Sequence, residues 1–405
     1  MTTPALTIDP RKILIVKPSS LGDIVHSLPF LNAIKTRFPR AGIHWVIAGG
    51  LEELLEGHSM IDRLWVIHKD AWKKIRNMKE TVGELKNLFR ELKMEEFDLV
   101  IDLQGLLRSG VITAATGAPI RIGFKEAREG SRLFYTHSVE GGKDIHAVDR
   151  YLKIADFLGC DVSRVVFPLP DFTNEFISMH SQLSFPRAKR VGNPSDSPLE
   201  KGDKGGCLQE RFRTSRNDRL TTESDFSNNH PRSSPSSFIL HPSSFDSPLS
   251  FEEYAVLVPG SRWETKIWPP ENFGKLAALL PFNAVIAGSG NDAAFADVIV
   301  ALSGGKAVSL AGKTNLKELV EIMRKARFVV SNDSGPMHIA AALGVPVFAV
   351  FGPTDPLRTG PYGKGHTIIR ADVSCAPCFR KKCDDMKCMK SLSVEKVYSE
   401  IKSRL

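Results

Sequence analysis

The 405-residue sequence contains no unbroken apolar run of the length that a membrane-crossing helix needs, about 18 residues or more. Its opening, MTTPALTIDPRK, lacks the apolar core of a secretory signal, so the protein is expected in the cytoplasm. Cysteine is scarce, with six in all, and four of these crowd near the C-terminus. In a cytoplasmic chain such crowding points to metal or redox chemistry before structural disulfides. Acidic residues are outnumbered, 46 Asp and Glu against 54 Lys and Arg, which leaves a net charge of +8. That balance favours anionic partners: phosphorylated substrates, an acidic membrane surface or nucleic acid. No nucleic-acid motif accompanies the charge, so nucleic acid is the least supported of the three.

What is present is ordinary for a globular protein, with 42% hydrophobic and 25% charged residues. The length exceeds one common core and suits two domains. Short apolar runs alternate with helical spacing along the first part of the chain. Residues 12–17 (KILIVK), 43–47 (IHWVI) and 98–103 (DLVIDL) have the composition of strands buried on both faces. Helices are predicted from Asp23 to about Arg37, from Gly105 to Thr116 and from Ala147 to Leu158. The pattern resumes later, with strands at 254–258, 284–287, 328–331 and 345–350. Helices are predicted there at 270–280, 291–302, 317–325 and 335–343. Repeated strand–helix units imply α/β architecture with parallel sheets covered on both faces.

Residues 181–250 interrupt this order. They are rich in Ser, Pro and Asn, and their ten basic and eight acidic residues add only +2 to the net charge. Such a stretch cannot bury enough apolar surface to offset its chain entropy, and disorder is expected. The expected domains are therefore 1–180, an insert over 181–250, and 251–390 with a closing helix over 391–405.

Candidate functional groups sit where strands end. In KPSSLGDIVHSLP, small residues turn the chain after the first strand, and Asp23 opens a helix with His26 one turn on. Read alone, Asp23 is first an acidic residue favoured by the helix dipole. In PGSRWETKIWP, Arg262 and Lys266 lie in a turn before a helix, where loop amides and a cation suit a diphosphate. In SNDSGPMHIAAALGVP, Asp333, Ser334 and Gly335 lie between strand and helix, with His338 in the first turn.

AGSGNDAAFAD carries Gly288 and Gly290 in the pattern of a dinucleotide loop. The acidic partner expected about 20 residues on is missing, and Asp292 is the residue placed to meet a ribose hydroxyl. Cys375, Cys378, Cys383 and Cys388 have the spacing C-x2-C-x4-C-x4-C. Four thiolates this close suit a tetrahedral metal, although a reducible pair or free thiols fit the spacing as well. A basic aromatic stretch from His68 to Lys93 includes Trp72, Lys73, Lys74 and Arg76. It suits lipid phosphates or an anionic sugar, and equally an amphipathic surface helix.

Taken together, these motifs resemble glycosyltransferase family 9, the ADP-heptose:lipopolysaccharide heptosyltransferases. Supporting segments are DLQGLLRSG, AREGSRLFY, HAVDRYL, FGPTDP and PYG. The start is more similar to the heptosyltransferase I group than to II. The resemblance implies a GT-B fold, two Rossmann-like domains facing a cleft, with acceptor on the first and ADP-heptose on the second. It implies inverting transfer to the Kdo–lipid A acceptor with no cofactor and no divalent metal. Matched by motif, Asp23 is the general base and Lys266 neutralises the departing ADP. Ser261, Arg262, Asp292, Thr314, Asp333, Ser334, Gly335 and His338 match donor-binding positions. Lys17, Arg108 and the Trp72, Lys73, Lys74, Arg76 group match an anionic acceptor, met at the cytoplasmic face of the inner membrane. Asp292 is one methylene shorter than the Glu usual at its position. A non-catalytic glycolipid binder, a heptosyltransferase II-type enzyme and a nucleotide-dependent oxidoreductase are the competing readings.

Overall fold

The computed structural model describes residues 6–68, 78–142, 144–173 and 253–404. Both sheets fall in one compact unit, Met1–Ala188 with Glu252–Leu405. The 181–250 insert and the Trp72, Lys73, Lys74 and Arg76 group lie outside the described residues.

The first half forms β1 (Lys12–Val16), β2 (Gly42–Ala48), β3 (Arg63–Ile67), β4 (Leu99–Asp102), β5 (Ile120–Phe124) and β6 (His137–Val139). The second forms β7 (Tyr254–Val258), β8 (Asn283–Ile286), β9 (Ala307–Ser309), β10 (Phe328–Asn332), β11 (Val347–Phe351) and β12 (Thr367–Arg370). Each set makes a six-stranded sheet, ordered β3-β2-β1-β4-β5-β6 and β12-β11-β10-β7-β8-β9. Pairing is parallel throughout, as in Ile13 opposite Ile43 and Leu99, and Val256 opposite Val329 and Val285. Read from its own first strand, each sheet has the same order, so the two halves share one topology.

That order sets the location of chemistry. The strand sequence reverses direction between β1 and β4 and again between β7 and β10. The connections leave opposite faces there, opening a crevice at the carboxyl ends. The Lys17–Ser20 and Leu103–Leu106 loops leave the first crevice, and Pro259–Lys266 and Asp333–Ser334 leave the second.

Apolar spacing explains the packing. Ile24, Val25, Leu28, Leu31 and Ile34 are fully buried on the helix Leu21–Arg37. Each such side chain contributes about 1.5–3 kcal/mol when buried. One apolar cluster runs from this helix through Met337, Ile339 and Ala340 of the helix Gly335–Ala342, joining the two halves. Two glycines permit that contact. A Cβ on Gly22 would lie 2.4 Å from His338 Cδ2, and one on Gly335 would lie 2.9 Å from Leu21 Cδ2.

The helix carrying Asp23 begins two residues earlier than the sequence suggests, at Leu21 with Ser20 as N-cap. Asp23 is therefore the third helical residue, and its carboxylate reaches back to Ser20 instead of opening the helix. No helix among the described residues is long and apolar enough to cross a membrane.

Candidate active site

Asp23 is built into a cradle. Its Oδ2 accepts from the Ser20 amide at 2.9 Å and from the Ser20 hydroxyl at 2.8 Å. Its Oδ1 accepts from the Tyr151 hydroxyl at 3.1 Å and lies 3.7 Å from the Lys17 ammonium. Burial pushes this carboxyl up, but Lys17, Ser20 and Tyr151 outweigh it and hold it below the usual aspartate range. The side chain is still 38% exposed, so the ionised carboxylate faces an approachable surface.

Lys17 was expected on the acceptor. The structure places it beneath Asp23, 3% exposed, with its ammonium 3.4 Å from the Leu103 carbonyl. Burial lowers its proton affinity, and Asp23 and Asp102 act against that. Arg108 stands exposed on the helix Leu107–Ala115. Asp102, the last residue of β4, is fully buried and accepts from Ser109, Tyr135 and the Gln104 and Gly105 amides. It fixes the neighbouring loop at the same sheet end.

The second half presents a pair of opposite charges. Lys266 Nζ lies 2.7 Å from Asp333 Oδ2, and the same oxygen accepts from Thr354 at 2.6 Å. Ser261 donates to the Asp333 carbonyl at 2.9 Å, and Asn332 donates to the Pro259 carbonyl at 2.6 Å. These bonds lock the loops after β7 and β10 to each other. Lys266 also lies 4.5 Å from the Trp263 ring centre, a contact that orients its ammonium.

Between the two charged sets stand three histidines. His26 Nε2 and His338 Nδ1 are 2.9 Å apart, and the His26 and His146 ring centres are 5.0 Å apart. Burial, with the neighbouring ring as a second cause, holds His26 well below its ordinary range. His338 is depressed to about 4, chiefly by burial. Both rings are thus neutral near pH 7, and one N–H donates to the other ring's lone pair. His338 feels Asp23 from one side and Asp333 and Lys266 from the other. The base candidate and the cation candidate therefore converge on one place.

Beside this point lies a cavity of about 760 Å³. Ser261, Arg262, Asp292, Thr314, Ser334 and Gly335 line it. Asp333, His338 and Lys266 do not; Asp333 and His338 are buried, and the Lys266 side chain is 16% exposed. Asp292 has its carboxylate turned to its own loop, accepting from the Ser289 amide and hydroxyl at 2.8 Å. A ribose hydroxyl would have to share that carboxylate with Ser289. The sequence reading missed Glu53, which comes from the first half, lines the cavity and accepts from the Leu316 amide at 2.9 Å. It also missed Tyr151 and Thr354. Asn332 offered a signal, being a polar residue that ends an apolar strand.

The four clustered cysteines are free thiols in unlike settings, Cys375 exposed and Cys388 buried. Among the described residues, no group of three or more His, Cys, Asp or Glu is placed to hold a metal ion. The metal site drawn from spacing alone is not assembled. The loop instead buttresses the site: Thr265 donates to the Arg380 carbonyl at 2.8 Å, and the Cys378 and Phe379 amides donate to the Pro353 carbonyl.

Known proteins are similar to this chain. A model of the family described as glycosyltransferase family 9 (heptosyltransferase) matches residues 85–179 and 208–389. Lipopolysaccharide heptosyltransferase 1 of Pseudomonas aeruginosa is 27% identical over 389 residues, covering 92% of this chain and 87% of that protein. A family 9 glycosyl transferase structure from Veillonella parvula superposes with a TM-score of 0.71 at 22% identity, covering 99% of this chain and 98% of its own. The E. coli heptosyltransferase WaaC with ADP superposes at 0.68 and 22% identity, covering 97% of this chain and all of that one. The two parallel sheets thus have the GT-B arrangement of those structures.

Proposed function

The chain belongs to glycosyltransferase family 9, and from that membership and the geometry above we propose that it moves heptose from ADP-heptose to the Kdo–lipid A inner core in lipopolysaccharide biosynthesis. An acceptor hydroxyl attacks the anomeric carbon of the donor sugar. Its proton passes to Asp23, whose position at the edge of the cradle leaves the carboxylate ionised and approachable. The carbon–oxygen bond to the diphosphate breaks on the opposite face, and ADP departs with the electron pair. Lys266 is placed to neutralise the charge that grows on that leaving group. Attack from the face opposite the leaving group gives inversion.

Ser261, Arg262, Asp292 and Thr314 would hold the nucleotide within the 760 Å³ cavity. Ser334 and Gly335 add the amides at the start of a helix, a favourable place for phosphate. Asp333 and His338 support that wall from behind, and Lys266 must exchange Asp333 for phosphate when the donor arrives. Residues 1–180 form the acceptor half and 251–390 the donor half. Arg108 faces the anionic acceptor. The enzyme works at the cytoplasmic face of the inner membrane through peripheral contact, since its acceptor is a phosphorylated lipid.

The observation that carries this reading is the 2.9 Å contact of His26 with His338, which joins the helix bearing Asp23 to the helix that begins the donor wall. The test is ADP release from ADP-heptose in the presence of Kdo–lipid A, compared with other nucleotide sugars. Asp23→Asn is expected to lose about 10²–10⁴-fold in turnover while binding of ADP stays unchanged. Undiminished turnover in that variant removes Asp23 from its role.

A further inference from the structure

The geometry points to Tyr151 as a positioning residue that holds the Asp23 carboxylate through a hydroxyl reaching it from a helix 128 residues away in sequence. The inference rests on Asp23 being the base, and it adds a residue to that site which no strand-end motif contains.

Tyr151 lies on the helix Ala147–Phe157 with Val148, Leu152, Ile154 and Ala155 buried around it. It is itself 3% exposed. A buried phenol needs a partner for its O–H, and here that partner is Asp23 Oδ1 at 3.1 Å. Its ring also does separate work. It lies 5.1 Å from the Lys17 ammonium and 6.2 Å from the Phe124 ring centre. The hydroxyl and the ring can therefore be separated by substitution.

The two carboxylate oxygens have different neighbours. Oδ2 is tied twice to Ser20, on the same turn of chain. Among the described residues, Oδ1 has Tyr151 at hydrogen-bond distance and Lys17 at 3.7 Å. Ser20 alone fixes one end of the group and leaves it able to rotate about that end. Tyr151 supplies the second point, which sets the plane of the carboxylate and the direction of its free lone pair. Burial and the Asp23 charge raise the phenol well above its ordinary range, so it keeps its proton and remains a donor throughout the working range. Among the described residues, the other charged and titratable groups facing the pair are Lys17 just after β1, Arg150 from the Tyr151 helix and His338 from the donor side, with Asp102 acting on Lys17. Tyr151→Phe leaves all of them in place.

The experiment uses the full chain in two assays. One follows the Asp23 carboxyl carbon by NMR titration, assigned by its loss in Asp23→Asn. The other follows the pH dependence of kcat/KM. Tyr151→Phe is expected to move the Asp23 midpoint and the acid limb upward by about one pH unit, the size of one charge-assisted hydrogen bond. It is expected to lower kcat about tenfold, with the KM for the ADP-sugar unchanged. A residue that only packs would lower the melting temperature and leave both midpoints alone, and that result overturns the inference. Should Tyr151→Phe fail to fold, difluorotyrosine at position 151 keeps the shape and strengthens the donor. The midpoint must then move down, and an unmoved midpoint is again fatal. The NMR titration needs no turnover. Full transfer by Asp23→Asn would sink the assignment of the base while leaving the Tyr151 contact separately tested.

Discussion

The two sheet ends share a strand order but differ in what they offer. At the end of β1, Asp23 is gripped by Ser20, Tyr151 and Lys17 over a fully buried Asp102 network. At the ends of β7 and β10 the loops part around a 760 Å³ cavity, and the Lys266–Asp333 pair sits on the same loops outside its lining. One end is crowded and fixes a small charged group; the other is hollow and has room for a large one. On the proposed reading, the same topology would serve proton transfer on one side and nucleotide binding on the other. The side chains that loops and helices bring to each end make the difference.

After Asp23→Asn, the comparison is broken most severely from the hollow side. Lys266→Ala should lower turnover by about 10²–10³-fold, the usual cost of losing one donor aimed at developing charge. It also leaves the buried Asp333 carboxylate with Thr354 as its hydrogen-bond partner among the described residues. ADP affinity and the ADP-release rate, measured together, separate the two effects. Equal loss in both would make Lys266 a ground-state ligand and not a leaving-group cation.

The seam between the halves comes next. Gly22→Ala places a methyl where a Cβ would lie 2.4 Å from His338. The backbone or the imidazole must yield, at a cost of about 1–3 kcal/mol. Urea titration reads the loss. An unchanged midpoint would mean that the two helices are not held as closely as the structure shows.

Acid sharpens the same point. His338 has its proton affinity depressed from 6.5 to about 4 by burial. The unfolded chain therefore takes up a proton that the folded chain refuses, and stability rises with pH across that interval. It is whole above about pH 6.5 and declines as the pH falls toward 4. Unfolding at pH 7 and at pH 5 measures the slope. His338→Gln should flatten it, with His26, lowered in the same direction, retaining part.

Much of this was legible in the sequence, and the exceptions have physical causes. The interior strands β1, β2, β4, β7, β8, β10 and β11 read as apolar runs because helices cover both faces. Edge strands β3, β6, β9 and β12 escaped. Arg63–Ile67 alternates exposed and buried residues, while His137–Val139 and Ala307–Ser309 have only three residues each. Ile120–Phe124 escaped although it is interior, because Gly123 breaks its apolar run. A Cβ there would lie 2.2 Å from the Tyr135 ring, so the gap in the pattern is itself a packing requirement. Asp23 and Lys266 were legible as candidates because each lies in a short motif that follows a strand, β1 and β7. Tyr151 was not, because on its helix it reads as one more member of an apolar stripe. Glu53 meets Leu316 across 263 positions, a contact that no local pattern encodes. Lys17 was placed by its motif as an acceptor candidate, and charge alone does not reveal that it is 3% exposed.

The smallest expected effect tests the crowded side from its open edge. Arg108 is exposed on the helix Leu107–Ala115, so Arg108→Ala should change stability by less than about 0.5 kcal/mol. Its cation would meet a phosphorylated acceptor only in water, where one exposed pair contributes about 0.2–1 kcal/mol. The expected result is a rise of up to about fivefold in the KM for the acceptor, larger at low salt than at high salt. The KM for the ADP-sugar and kcat should not move. If donor KM changed instead, Arg108 would belong to the hollow side, and the division of labour between the two sheet ends would have to be redrawn.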